Sequence, residues 1–324
     1  MKPYAFVLLV AVVFPFMACA ADDSKTYLDP ENAGLAYEIQ GEYLGEIDAE
    51  QPGTGWGAQV IALGDDKFRL VGYEGGLPGE GWQRGDRREM ADGRAAGEVA
   101  RFEADEWKAR IKDGTLTVYT EQGAAAGTLK KVCRKSPTLG AKPPAGALIL
   151  FDGSSADHFA GGDMTEENLL RANCHSKEEF GDHALHLEFR TPFKPLARGQ
   201  KRGNSGVYVQ SRYEIQVLDS FGLEGKNNEC GGIYSIARPK VNMCFPPLTW
   251  QTYDIDFTAA RYEGDKKVKN ARITVKHNGV VIMDDLELPH GTPGRMEEGP
   301  GPAPLYLQGH GNPVFYRNIW VVRK

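Results

Sequence analysis

The sequence predicts an all-β protein built from two strand-rich parts. Three observations carry that expectation. Apolar and polar residues alternate over short runs, and no stretch shows helical periodicity. The 324-residue chain holds 39 Gly and 19 Pro without a collagen period, which supplies the turns that many short strands require. Aromatic residues are 10% and hydrophobic residues 41% of the chain, a globular composition. At roughly 100–200 residues per domain the length suits two domains. A formal net charge of −6, with no block of basic residues, argues against a nucleic-acid partner.

Residues 1–20 read as a signal peptide. Lys2 precedes the apolar run Ala5 to Phe14, Pro15 ends that run, and Ala18-Cys19-Ala20 offers small residues for cleavage before Ala21. The run is shorter than the roughly 20 apolar residues of a membrane span. No membrane span is therefore expected, and the mature chain is expected to be exported, to the periplasm or the extracellular space. A variant reading anchors it by lipid at Cys19, because Phe16-Met17-Ala18-Cys19 loosely resembles a lipobox. The remaining Cys133, Cys174, Cys230 and Cys244 permit disulfides in three connectivities. Cys230 and Cys244 bracket a segment able to fold back on itself; four free thiols are the equal alternative. Without a CxxC, a thiolate zinc cluster is not expected.

Residues 21–36 are polar and expected to be an extended lead-in. Residues 37–133 read as a small antiparallel β domain. Gly57–Leu63 and Lys67–Tyr73 flank the turn Gly64-Asp65-Asp66, and Phe68, Leu70 and Gly72 share one face. Trp107–Ile111, Thr115–Thr120 and Gly127–Val132 are further strands. No catalytic constellation is visible in this part. Arg134–Gly146 contains Pro137, Pro143 and Pro144 and reads as a stiff Pro-rich linker.

Residues 147–324 read as an antiparallel sandwich or jelly roll. Leu185, Leu187 and Phe189 point inward from one strand, leaving His186, Glu188 and Arg190 on the other face. Val207–Gln210, Tyr213–Asp219 and Tyr253–Phe257 continue the alternation. Asn278-Gly279 signals a type I′ hairpin between Ile273–Lys276 and Val280–Ile282. Leu305–Gln308 and Phe315–Val322 close the chain. There is no phosphate loop, no H-E-x-x-H and no G-x-S-x-G. What remains is a row of polar groups on the non-core faces: Glu188, then Tyr208 and Gln210, then Arg212, Glu214 and Gln216, then Tyr306, Gln308 and His310. A solvated face accounts for the Arg and Glu. It accounts less well for the Tyr, Gln and His among them, which suit a carbohydrate groove.

The second part resembles the family known as DUF1080, the 3-keto-disaccharide hydrolase domain. The segments that carry the resemblance are LILFDGSS (148–155), FGDHALHLEFRTP (180–192), GNSGVYVQSRYEIQVLDSFG (203–222), CGGIYSIARP (230–239), WQTYDIDF (250–257), ITVKHNGVVI (273–282) and LQGHGNPVFYRNIWV (307–321). It does not extend to residues 37–133. The resemblance implies a concanavalin A-like jelly-roll sandwich. It also implies a carbohydrate partner, a glycoside oxidised to a ketone at C3 of the sugar, cleaved by hydrolysis or by elimination followed by hydration. Such chemistry needs a general base, an acid for the leaving oxygen and donors for the enolate. The catalytic candidates are Glu214, Glu188 and His310. In this loop the family commonly has an Asp where this chain has Gly309, so an acid that would orient His310 is missing. The binding candidates are Arg212, Gln216, Tyr208, Gln210, Gln308, Asp219 and Arg317. No cofactor is required, although Glu188, Glu214, Asp219 and His310 offer oxygen and nitrogen donors for Ca²⁺ or Mn²⁺. The alternative is a non-catalytic, lectin-like or cell-envelope protein on the same sandwich.

Overall fold

A computed structural model describes residues 25–47 and 55–324. The signal peptide and Cys19 lie outside the described residues. No helix among them is long and apolar enough to cross a membrane.

The chain folds as an eight-stranded closed barrel followed by a two-sheet sandwich. The described part of the lead-in, residues 25–36, is not extended. Tyr27 pairs its backbone with Phe193 of the sandwich, Pro30–Asn32 makes a 3₁₀ turn, and Gly34–Ile39 forms a short helix, α1. Ala33 and Ile39 are buried in the barrel core, and that burial holds the segment down.

The barrel strands are β1 (Gly41–Ile47), β2 (Gly55–Gly64), β3 (Lys67–Glu74), β6 (Arg88–Ala96), β7 (Val99–Glu103), β8 (Trp107–Lys112), β9 (Thr115–Thr120) and β10 (Ala125–Val132). Two-residue strands β4 (Leu77–Pro78) and β5 (Gly81–Trp82) form a small ladder in the loop between β3 and β6. Each barrel strand pairs antiparallel with its neighbour, and β1 closes the ring against β10. Closure removes both sheet edges. The lumen side is largely small: Ala58, Ala62, Ala91, Ala100 and Ala109 are buried beside Phe68, Phe102 and Leu116.

The sandwich strands are β11 (Leu148–Phe151), β12 (Phe159–Ala160), β13 (Leu170–Arg171), β14 (Cys174–Phe180), β15 (His183–Arg190), β16 (Ser205–Val209), β17 (Tyr213–Val217), β18 (Gln251–Thr258), β19 (Arg261–Glu263), β20 (Lys266–Lys269), β21 (Ala271–His277), β22 (Val280–Leu288), β23 (Ala303–Leu307) and β24 (Phe315–Arg323). A seven-stranded sheet runs β11-β24-β15-β18-β21-β22 with β13 on β24; a five-stranded sheet runs β12-β14-β23-β16-β17. Leu185, Leu187 and Phe189 of the first sheet meet Val207, Val209, Tyr213, Ile215, Leu305 and Leu307 of the second in one core. The Asn278-Gly279 turn has both φ positive, at 50° and 82°, as a type I′ hairpin requires.

The two parts share contacts rather than merely a tether. Ile61, Val71, Tyr73 and Trp82 of the barrel join the sandwich core, and Phe193 and Leu248 of the sandwich join the barrel core. Arg134 to Gly146 is laid along the outer face of the seven-stranded sheet. Ser136 Oγ meets Thr252 Oγ1 at 2.6 Å, and Thr138 Oγ1 donates to Asp254 Oδ2 at 2.7 Å. Arg134 donates to the buried Glu42 carboxylate at 2.6 and 2.8 Å. All four described cysteines are free thiols. Cys230 and Cys244 do meet, but as two buried thiols, with Cys230 Sγ also 3.3 Å from Tyr253 Oη.

Candidate active site

The two candidate carboxylates are on opposite sides of the sandwich. Glu188 leaves β15 on the outer face of the seven-stranded sheet, because its neighbours Leu187 and Phe189 face the core. Glu214 leaves β17 on the outer face of the five-stranded sheet, because Tyr213 and Ile215 face the same core. The apolar layer lies between them, so they cannot act on one bond.

On its own face, Glu188 is saturated. Gly140 N–H donates to Oε1 at 2.6 Å, Asn318 Nδ2 to Oε1 at 3.0 Å and Arg317 Nε to Oε2 at 2.6 Å. His186 Nε2 lies 3.9 Å from Oε1, while its Nδ1 is 2.6 Å from Asp254 Oδ1. The His186 ring stacks on Trp320 at 5.0 Å. Burial alone would raise the Glu188 carboxyl, but the donors His186, Asn318, Gly140 and Arg317 override it and hold it at about 2. Such a group stays ionised at neutral pH and has no proton to exchange. Arg317 in turn lies over Trp250, its guanidinium 4.0 Å from the ring centre. A polar cleft of about 500 Å³ beside this cluster is lined by Glu188, Arg317, Asn318, Asp152, Glu167 and Lys142, among others.

Around Glu214 the arrangement is different. Tyr208, directly across in the β16–β17 register, brings its hydroxyl to 2.8 Å from Glu214 Oε2 and 3.1 Å from the Pro293 carbonyl. Gln308 Nε2 donates to the same hydroxyl at 3.2 Å, and the buried Gln308 Oε1 has no partner. The absence of a side chain at Gly206 makes room for the carboxyl: a Cβ there would stand 2.3 Å from Glu214 Oε1. Burial dominates and raises the Glu214 carboxyl to about 7, with the Tyr208 hydrogen bond pulling the other way. Burial and the adjacent Glu214 push the Tyr208 phenol well above its usual value. A buried acid that titrates near neutrality is what general acid–base chemistry uses.

The neighbourhood continues through Tyr306, which the alternation placed in the polar row, and through Arg295 and His175, which it did not single out. Tyr306 packs on Tyr208 at 5.4 Å, and Arg295 lies over Tyr306 at 4.6 Å and reaches His175 Nδ1 at 3.0 Å. The segment His290–Gly301 is seated against this edge strand. Thr292 Oγ1 accepts from Glu214 N–H at 2.9 Å and Met296 N–H donates to the Ser211 carbonyl at 3.0 Å. Glu298 takes the Tyr213 hydroxyl and a 2.6 Å ion pair from Lys267. The Gly and Pro of this segment mark it as a loop, but no local signal names the strand it covers.

The other candidates hold structure together. Arg212 donates to Gln210 Oε1 and to the Gly301 and Pro300 carbonyls, fastening that loop. Gln210 sits in a turn at φ 53° and donates to the Phe180 carbonyl at 2.9 Å. Gln216 Nε2 is taken by Asn204 and by the Ser205 and Val217 carbonyls. Asp219 is buried against Arg202 at 2.6 Å, and Arg202 also donates to the Ala62 carbonyl, across the junction of the two parts. His310 is exposed in the loop after β23, two residues beyond Gln308, with its carbonyl taking a bond from Asn312. Glu188, Glu214, Asp219 and His310 therefore do not form one donor set. Among the described residues no group of three or more His, Cys, Asp or Glu is placed to hold a metal ion.

A family described as the 3-keto-alpha-glucoside-1,2-lyase-like domain matches residues 146–322. A solved structure from Parabacteroides distasonis ATCC 8503, provisionally named a glycosyl hydrolase, is similar over 56% of this chain and 85% of that one, at 30% identity and a TM-score of 0.52. A second structure from the same organism, with the same provisional name, aligns over 55% of this chain and 94% of that one, at 15% identity and a TM-score of 0.41. No curated protein matches the chain. Through residues 146–322, over half its length, the chain belongs to the 3-keto-alpha-glucoside-1,2-lyase-like family.

Proposed function

We propose that this protein cleaves glycosides carrying a ketone at C3 of the sugar, with Glu214 as the acid–base group. The observation that carries the reading is a buried carboxyl titrating at about 7 in hydrogen bond with Tyr208, inside a domain of this family. A C3 ketone acidifies the neighbouring C2–H. In this reading the ionised Glu214 takes that proton. The electron pair passes through the enolate and forms a C1=C2 bond as the C1–O bond breaks. The leaving oxygen takes a proton, and water then adds to the double bond. About half of Glu214 is ionised near pH 7, so both protonation states are available in a cycle. Tyr208 and Gln308 are the adjoining donors, suited to an oxygen that gains charge. His310, exposed in the loop that follows β23, is the second acid–base candidate of the proposal. Glu188 is assigned to holding the opposite face, since three hydrogen-bond donors and the adjacent His186 ring leave it no catalytic freedom.

The test is incubation with a panel of 3-keto-glycosides and their unoxidised parents, following release of the aglycone. Release from the keto substrates alone is expected, and Glu214→Gln should lower kcat by about 10²–10⁴-fold. Equal cleavage of the parents would refute the elimination route and point to oxocarbenium chemistry. Saturable binding without turnover across the panel would replace the enzyme with a lectin-like protein.

A further inference from the structure

The barrel is filled at one end and hollow at the other. At the filled end Tyr43, Phe68, Phe102 and Ile111 are all fully buried, and Phe193 of the sandwich closes the floor. At the opposite end a cavity of about 330 Å³ opens between Trp56 and Trp107, over Leu70, Val118 and Leu129. Both tryptophans are only half-buried although they pack against the barrel core. The room comes from the small residues Ala58, Gly72 and Ala126 in the wall. A barrel of eight strands is just wide enough for side chains to fill it or for one small ligand, and this volume falls in the range of small-molecule sites.

The mouth sets the charge. Glu74, Glu89, Glu106 and Glu121 ring it, with Arg87 as the one basic residue among the described residues of the lining. Arg87 is engaged by Glu89 at 3.0 Å and lies 5.8 Å from the centre of the Trp56 ring. Four carboxylates against one guanidinium disfavour an anion. Two indoles across a slot favour a flat ring system.

We infer that the barrel is a binding module for a planar aromatic small molecule without negative charge, held between Trp56 and Trp107. The site is independent of the sandwich chemistry and gives the N-terminal module a role of its own.

The experiment uses the full chain and two probes that share one ring skeleton. N-phenyl-1-naphthylamine is neutral; 1-anilinonaphthalene-8-sulfonate is its anionic counterpart. The neutral probe should bind at one site with a Kd of roughly 1–100 µM, a range set by its ring count, and at least about tenfold tighter than the sulfonate. Gly72→Leu fills the lumen. A Cβ at Gly72 meets the Trp56 ring at 3.5 and 3.7 Å and Glu89 Cβ at 3.8 Å, ordinary van der Waals contacts. That variant should keep the wild-type thermal transition and lose binding at least about tenfold. Trp107→Ala, which removes one wall, should also weaken binding. Absence of saturable binding by the wild-type chain would overturn the inference. So would binding unmoved in both variants, or a sulfonate bound as tightly as the neutral probe.

Discussion

Replacing Glu214 by Gln gives a pH signature that depends on its burial. In the folded chain the carboxyl holds its proton until about 7; its ordinary value, which the unfolded chain shows, is 4.5. Between those two values the folded state binds more protons than the unfolded state, so this group makes stability fall as pH rises. Its favourable contribution is complete below 4.5 and is lost as pH passes through 7. The gap of about 2.5 units, at about 1.36 kcal/mol per unit, amounts to about 3 kcal/mol by pH 8. Glutamine has the same shape and accepts the Tyr208 hydroxyl, but does not ionise. The stability of Glu214→Gln relative to wild type should therefore climb by about 3 kcal/mol from pH 4 to pH 8, with about 2 kcal/mol of it already present at pH 6. Any constant offset from the amide cancels in this comparison. At roughly 2–4 °C per kcal/mol, calorimetry at pH 8 should show the sandwich transition shifted up by about 6–12 °C relative to the difference at pH 4. A difference that stays flat from pH 4 to pH 8 would mean that Glu214 ionises as an exposed carboxyl does. The acid–base role would then lose its basis.

Glu188 should behave in the opposite sense. Its folded value is depressed to about 2, so its contribution is present above 4.5 and lost as pH falls toward 2. Glu188→Ala should cost about 3 kcal/mol at pH 7, and the cost should shrink in denaturation series run down to pH 3. Arg202→Ala strands the buried Asp219 and should destabilise by about 3–5 kcal/mol in chemical denaturation; a loss under 1 kcal/mol would mean that Asp219 finds another partner. Gly206→Ala places a methyl 2.3 Å from Glu214 Oε1 and should lower turnover of a 3-keto-glycoside by about 10²-fold through misplacement of the carboxyl, with unchanged kcat counting against Glu214. A truncated chain of residues 146–324 should melt below the full chain, because it exposes the patch covered by Ile61, Val71, Tyr73 and Trp82; identical melting of the two would show that the shared core adds nothing.

Alternation along single strands was enough to foresee much of the fold. Leu185, Leu187 and Phe189 point inward as read, Phe68 and Leu70 line the barrel, and Asn278-Gly279 makes its hairpin. Strands with weak apolar signals were missed. β6 and β7 carry Asp92, Arg94, Arg101 and Glu103 outward and mainly Ala and Gly toward the lumen, so nothing in their composition announces a sheet. The sequence also placed Glu188 and Glu214 on non-core faces, which is correct for each strand. A period of two tells which residues share a face of one strand, but not which sheet that strand joins. Only the pairing of β15 with β18 and β24, and of β17 with β16, puts the two carboxylates on opposite sides of the core. Ring closure has the same origin: β1 meets β10 across some ninety residues, Glu42 opposite Val132, and no local pattern encodes a partner so distant. The protonation of Glu214 was likewise out of reach, because it follows from burial, which the covering loop at Thr292 and Pro293 helps to complete, against the opposing pull of the Tyr208 hydroxyl. The sequence by itself determined the strands with strong apolar alternation, their faces and the family to which residues 146–322 belong. The tertiary structure decided which faces meet, since long-range pairing sets the burial of each charge and burial sets its chemistry.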